Sequence, residues 1–350
     1  MRRQAPVRTT RPTSRDVAAA ADVSVATVSY VMNGRTDRRI PDITRDRVLE
    51  AAHKLGYVPD RSARMLRRRS TEQVCLVIGG FGVPVLDQMA ASLHEVGDRH
   101  GFGLITMVVN SPSSARRGID RLRERVADGV VLAGGLHHVG AAGLDDLVSA
   151  DIPMMVLSNS APADGFDVYR EPETDAVRDA VDHLVRTGRR SIAYLGHERE
   201  VAEFHAGRPV DSDRFAGFVD ALESHGLPVR PDLVVPGADG RAEGYRAAAA
   251  VLGLPEPPDA IISASSRAAV SAIWAARDLG LTVPSDVAVV GAGTIPEAQV
   301  TRPTLSTMGP DDGADFSDAA EMLFDRILHP RHGDWREISR PWTFTARGST

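Results

Sequence analysis

The sequence predicts an all-α helix-turn-helix head plus a hinge helix, then an α/β core of two doubly wound lobes. Three observations predict it. Residues 13–34 read as two short helices joined by a tight turn. From Val74 onward, short apolar runs alternate with stretches of helical periodicity. The charge is also split along the chain. Residues 1–70 carry 16 Lys and Arg against 7 Asp and Glu, a net of +9, whereas the other 280 carry 25 against 40, a net of −15. A basic head on an acidic body is the footprint of a nucleic-acid reader.

Residues 1–12 are basic and read as a flexible arm, with a role in phosphate contact or none. No apolar segment follows them, so no secretory leader is expected. Thr13 is a good N-cap, and Asp16 can reach back to its amide, a variant of the capping box. Val17, Ala20 and Ala21 then form a narrow apolar stripe. Asp22 and Val23 break the pattern, and Ser24 caps a second helix from Val25 to about Met32. Val28, Val31 and Met32 face inward there, while Val25, Ala26, Thr27, Ser29 and Tyr30 stay outside. Asn33 and Gly34 end the helix, both tolerating a left-handed backbone. A third helix, Asp42 to Leu55, supplies Val48, Ala51, Ala52 and Leu55 to a shared core, and Gly56 closes it.

Such a unit, residues 13–58, can place its second helix in a DNA major groove. A small bundle with no ligand is the rival, and the +9 charge argues against it. Thr13, Ser24, Thr27, Ser29, Asn33 and Arg35 are the expected backbone contacts. Val25, Ala26 and Tyr30 are the expected base readers, the first two through apolar contact and Tyr30 through one hydrogen bond. After Pro59, residues 61–69 are short, basic and nearly without a hydrophobic face, so they should not hold a helix alone.

The stretch DVAAAADVSVATVSYVMNG, followed by TRDRVLEAAHKLGYVPDRSARMLR, resembles the head and hinge of the LacI/GalR family of bacterial transcription regulators over about sixty residues. The resemblance implies that residues 59–70 are a hinge helix that folds on operator DNA. Ala63 and Leu66 would enter the minor groove, with Leu66 wedged into a base step. A solvated basic linker is the other reading of these residues. The resemblance further implies a homodimer on a pseudo-palindromic, double-stranded operator, with a core that responds to a small molecule.

In the core, VCLVIGG, FGLITMVV, GVVLAGG and PMMVLS read as buried parallel strands, with helices around 85–100, 114–127 and 140–149. SIAYLG, LVV, AIISA and DVAVVG form a second set, with helices near 173–187, 213–225, 241–252 and 267–279. Two such series imply two lobes with a crevice at the carboxyl ends of their strands. The resemblance makes the core, residues 71–350, periplasmic-binding-protein-like. It gives a first lobe of about 71–168 and 303–330 and a second of about 169–302 and 331–350.

Several classes are disfavoured. No apolar run approaches the ~20 residues of a membrane span. The single cysteine, Cys75, sits in an apolar run and reads as a buried small hydrophobe, and together these features place the chain in the cytoplasm. Lys54 is the only lysine beside 40 arginines, which reads as genome composition rather than function. No cofactor is expected and no catalytic constellation is visible: there is no P-loop, dinucleotide fingerprint, HExxH or CxxC. The pair His137 and His138 lacks a third ligand at a metal-binding spacing and reads as solvated loop histidines.

The candidate effector contacts are Asn159, Arg214, Ser265, Ser266 and Thr294. Set against the family pattern, the crevice departs most. Val83, Pro84 and Val85 stand where sugar-binding relatives carry an Asn-Pro-Phe-like stretch. Pro172 and Glu173, Ser265 and Ser266, and Gly293 replace other polar residues of theirs, while Arg214 matches their ligand arginine. An arginine among serines suits a carboxylate or phosphate better than an ordinary hexose. Two alternatives stand beside this: a structural Arg214 paired with Asp211 or Asp213, and a vestigial crevice. The sequence therefore points to a DNA-binding repressor controlled by a sugar, sugar derivative or small anion. A solute-binding protein and a sugar-processing enzyme are the rival classes.

Overall fold

The computed structural model describes residues 12–32, 40–58, 70–310, 315–330 and 333–350. The chain forms two units, Met1–Thr71 and Glu72–Thr350.

The head consists of α1 (Ser14–Ala20), α2 (Val25–Met32) and α3 (Asp42–Leu55). Thr13 and Asp16 form the capping box, with the Thr13 amide donating to Asp16 Oδ2 at 2.7 Å. Val17 and Ala21 are buried as expected, but Ala18 joins them and Ala20 stays exposed. Helix α1 meets both α2 and α3, so its buried arc turns to positions i, i+1 and i+4. Val28 and Val31 of α2 and Val48, Ala51 and Ala52 of α3 complete the core. Leu55 was expected inside and is instead 38% exposed, because the last turn of α3 runs past the core. Gly56 then ends the helix in the left-handed region, at φ 63°. The expectations for the residue 1–11 arm, for Asn33, Gly34 and Arg35, and for Ala63 and Leu66 of the hinge lie outside the described residues.

The core unit holds two six-stranded sheets. The first contains β1 (Gln73–Ile78), β2 (Gly103–Val108), β3 (Gly129–Leu132), β4 (Met154–Leu157), β5 (Asp167–Arg170) and β11 (Glu337–Ser339), in the order β11-β5-β4-β3-β1-β2. The second contains β6 (Ile192–Gly196), β7 (Val234–Pro236), β8 (Ala260–Ser263), β9 (Ala288–Ala292), β10 (Ser306–Gly309) and β12 (Thr343–Thr345), in the order β12-β10-β9-β8-β6-β7. Every pairing is parallel except that of β10 with β12. Helices cover both faces of each sheet, so β3 and β8 are buried along their whole length. Cys75 lies in β1 with no exposure, and burial pushes its thiol pKa up to about 12.

The crossovers differ from expectation. Ser306–Gly309 stays in the second sheet beside β9, so the chain leaves that lobe only after Gly309. Helix α13 (Ser317–Leu328) then packs on the first sheet through Ala319, Leu323 and Phe324. Residues Glu337–Ser339 remain in the first lobe beside β5, and only β12 returns to the second. The anchor is Asp167 of β5, fully buried and gripped by Arg326 of α13 and by Arg336. The histidine pair lies not in a loop but at the start of α6 (Leu136–Ser149), with ring centroids 3.9 Å apart. Burial, then the neighbouring His138 and Arg199, lowers the pKa of His137. Among the described residues no group of acidic, His and Cys side chains could hold a metal, and no helix is long and apolar enough to cross a membrane.

Candidate functional site

In the head, α2 has one face in the core and one outside. Val28 and Val31 are buried, whereas Val25 is 42% exposed and Ala26 is exposed beside it. An exposed valine is held outward here because the α2 stripe of buried residues starts three positions later. The Ser24 hydroxyl accepts from the Thr27 amide at 3.1 Å and lies 2.9 Å from the Thr27 hydroxyl. It therefore caps α2, and both hydroxyls sit at the helix N-terminus, where an anion is favoured. Thr27, Ser29 and Tyr30 are half-buried, and Thr13 is exposed at the N-terminus of α1.

The core contains a cavity of about 240 Å³ at the carboxyl ends of strands from both lobes. The first lobe contributes Val83, Pro84, Val85 and Gln88 around the start of α4 (Pro84–His100). The second contributes Arg214, Ala264, Ser265, Ser266, Arg267, Gly293, Thr294 and Ile295, with His197 and Asp239 at one side and Trp342 at another. Glu171, just beyond β5, also lines it. Four of the five candidate effector residues thus meet at one cavity. Asn159 does not line it. Its side chain bonds the backbone of Glu171 at 2.8 and 2.9 Å and Asp213 Oδ2 at 2.7 Å.

Arg214 is occupied. Its Nε and Nη2 donate to the two carboxylate oxygens of Glu173 at 2.8 and 2.7 Å, and Nη1 donates to the Ala264 carbonyl at 2.6 Å. The structural partner of this arginine is therefore Glu173, in place of Asp211 or Asp213. The guanidinium also lies 5.1 Å from the centroid of the Trp342 ring. Burial opposes the Arg214 charge, yet Glu173, Tyr194 and Glu200 together hold its pKa above the ordinary arginine value. Ser266 is likewise engaged, donating to the Gly293 carbonyl at 2.5 Å.

Other polar groups at the cavity are less committed. Gln88 Oε1, Arg267 Nε and Trp342 Nε1 are buried with no hydrogen-bond partner. Arg267 also donates through Nη1 to the Gly82 carbonyl, tying the second lobe to the β1–α4 turn of the first. His197 and Asp239 pair at 2.7 Å through Nδ1, and this bond holds the Asp239 carboxyl below its usual range. Burial raises the Glu171 pKa to about 7, the Trp342 N–H opposes that, and Glu173 adds to it. Glu171, Gln88, Arg267 and Trp342 escaped the sequence reading. Nothing in the sequence separates a partly buried acid from an exposed one.

Comparison with known proteins agrees with both units. Residues 13–60 match the family model described as bacterial regulatory proteins, lacI family, and residues 181–350 match a periplasmic binding protein-like domain. The chain is 28% identical to the HTH-type transcriptional regulator DegA of Bacillus subtilis, over 63% of this chain and 63% of that protein. It is 27% identical to the HTH-type transcriptional repressor PurR of Haemophilus influenzae, over 92% and 93%. Among solved structures, a transcriptional regulator CelR–cellobiose complex superposes with TM-score 0.66 at 26% identity, covering 97% of this chain and 100% of that one. The lac repressor dimer bound to operator and an anti-inducer has TM-score 0.78 at 22% identity, over 97% and 99%, a likeness of fold.

Proposed function

We propose that this chain, a member of the LacI family of bacterial transcription regulators, is a sequence-specific repressor that binds a pseudo-palindromic operator as a homodimer. The observation that carries the reading is α2. It turns Val25 and Ala26 outward at the start of a capped helix, within a 70-residue segment of net +9 charge. A short head reaches few base edges, and a two-fold pair doubles them at fixed spacing. In this reading Val25, Ala26 and Tyr30 choose bases, and Thr13, Ser24, Thr27 and Ser29 hold the DNA backbone. Asn33 and Arg35 add to that grip, and Ala63 and Leu66 of the hinge enter the minor groove. No catalytic role is assigned, and a DNA operator as target is consistent with a cytoplasmic protein.

Control by a small molecule is supported by the two-lobed cavity and by the CelR–cellobiose complex, whose fold this core shares. A ligand that prefers one lobe arrangement shifts the spacing of the heads by its differential affinity alone.

Selection of operators from random duplexes by the full chain, followed by binding titrations across salt, tests the proposal. A two-fold symmetric consensus is expected. The log–log salt slope should be about −0.9 for each phosphate neutralised. A flat salt dependence, or no enriched sequence, would contradict it. In the same assay, Leu66→Ala should weaken specific binding much more than non-specific binding, because a wedge acts only where DNA kinks. Equal losses on both would remove the hinge from the account.

A further inference from the structure

We infer that the ligand of the cavity is a small organic base, whose N–H-bearing nitrogen meets Glu171 while its apolar body lies against Trp342, Val83 and Ile295. This rests on the proposed ligand control of the core and narrows the chemistry of the ligand. Beside a structural role for Arg214 and a sugar ligand, the sequence offered an anion held by that arginine. The structure removes that option, because both carboxylate oxygens of Glu173 fill the arginine fork and a carbonyl takes its third nitrogen. An incoming carboxylate or phosphate would have to displace a carboxylate that is 15% exposed and already paired.

Glu171 has the opposite standing. Its amide donates to Asn159 Oδ1 at 2.8 Å and its carbonyl accepts from Asn159 Nδ2 at 2.9 Å, so the backbone carrying the carboxylate is fixed from both sides. The carboxylate makes no ion pair among the described residues, and it lines the cavity. Glu171 is half-buried, and an acid drawn out of water without a cation is costly unless something meets it. Of the cations at the cavity, Arg214 is committed to Glu173 and Arg267 donates to the Gly82 carbonyl.

Two further atoms fit a donor-bearing ligand. Gln88 Oε1, from the first lobe, is a buried acceptor with no partner, and Trp342 Nε1, on a side chain 8% exposed, faces the Glu171 carboxylate without completing a hydrogen bond. Amine or ring N–H groups would satisfy Glu171 and Gln88, while the indole N–H stays directed at the Glu171 carboxylate. Val83, Pro84, Ala264 and Ile295 also line the cavity, which favours a body with few hydroxyls. Binding would then link Gln88 of one lobe to Trp342 at the other.

Two matched probe series, differing in charge on a constant scaffold, test this on the full chain: benzylamine, benzyl alcohol and benzoate, and glucosamine, glucose and gluconate. Thermal shift followed by equilibrium titration should place each amine ahead of its neutral and anionic counterparts. Glu171→Gln should weaken benzylamine by about tenfold, the value of a charged hydrogen bond, and Gln88→Ala should weaken it less. Benzylamine binding unchanged by Glu171→Gln overturns the inference. If glucose or gluconate binds in preference to the amines and Trp342→Ala abolishes that binding, the base is wrong while ligand control stands. If no probe of either series binds, both fall.

Discussion

Replacing Asp167 by alanine should lower the melting temperature of the core by roughly 10 °C, the consequence of about 3–5 kcal/mol for breaking a buried ion pair. Asp167 is fully buried and Arg326 is 5% exposed. Arg326 donates to both carboxylate oxygens, through Nε at 2.9 Å and Nη2 at 2.5 Å. The Arg336 amide and Nη2 add bonds at 2.9 and 3.0 Å. The carboxylate thus collects four donors and ties β5 to α13 and to the turn that feeds β11. Without it, Arg326 loses both carboxylate bonds while keeping the Asp334 carbonyl and the face of Trp335, 4.5 Å away. A surface pair on the same strands provides the comparison. Glu337 bonds Arg170 in a similar fork at 2.9 and 2.6 Å but is 46% exposed, so Glu337→Ala should shift melting far less. If the two variants melt together, burial is not what gives the Asp167 cluster its weight. The double change Asp167→Leu with Arg326→Met should recover much of the loss, since no buried charge then lacks a partner.

That cluster also marks where sequence reading stops. The strands β1, β3, β4, β6, β8 and β9 were legible because burial on both faces makes them continuous apolar runs. Strand β5 is DVYR, whose acid and arginine look like loop residues until Arg326, 159 positions away, is seen to pair with the acid. The same long-range clamp keeps β11 in the first lobe, so the crossovers were placed too early on one side and missed on the other. Helix α8 (Glu198–His205), EREVAEFH, was silent because its single fully buried residue is Val201. In the head, by contrast, caps and breaks are local chemistry, and the bounds of α2 and α3 follow from Ser24 and Gly56 directly.

The cavity divides along the same line. Val83, Pro84, Ser265, Gly293 and Thr294 were placed through the resemblance to the family, and they do follow strands, whose carboxyl ends are where such folds open. The state of each polar group could not. Arg214 looked available until Glu173 was found in its fork, and Asn159 looked like a ligand contact until it was found bracing Glu171. Availability depends on three-dimensional pairing, and pairing between residues far apart in the chain leaves no periodic trace.

Glu171→Gln should stabilise the ligand-free protein at pH 8 and have almost no effect at pH 4, a pattern opposite to that of a salt-bridged carboxylate. Burial raises the Glu171 pKa from 4.5 to about 7. Below 4.5 the acid is protonated folded or unfolded and contributes nothing. Between 4.5 and 7 the unfolded chain loses the proton while the folded chain keeps it, so wild-type stability falls as pH rises. Above 7 the folded protein carries the whole cost of a buried charge, roughly 3 kcal/mol, or about 2 once residual water at the cavity mouth is allowed for. Glutamine keeps the shape and removes the charge, so melting curves of wild type and variant should coincide near pH 4 and diverge steadily to pH 8. Burial sets the sign and Glu173 reinforces it by repelling the Glu171 charge, while the Trp342 N–H and Arg214 oppose it only in part. A difference between the two proteins that is the same at both pH values would show that shape, not charge, is what the substitution changed. A bound cation reverses the cost, since it meets the carboxylate in the ionised form. The pH dependence of the free protein and the preference for a basic ligand are therefore one property of Glu171, and adding a bound amine should flatten the wild-type curve without altering that of the variant.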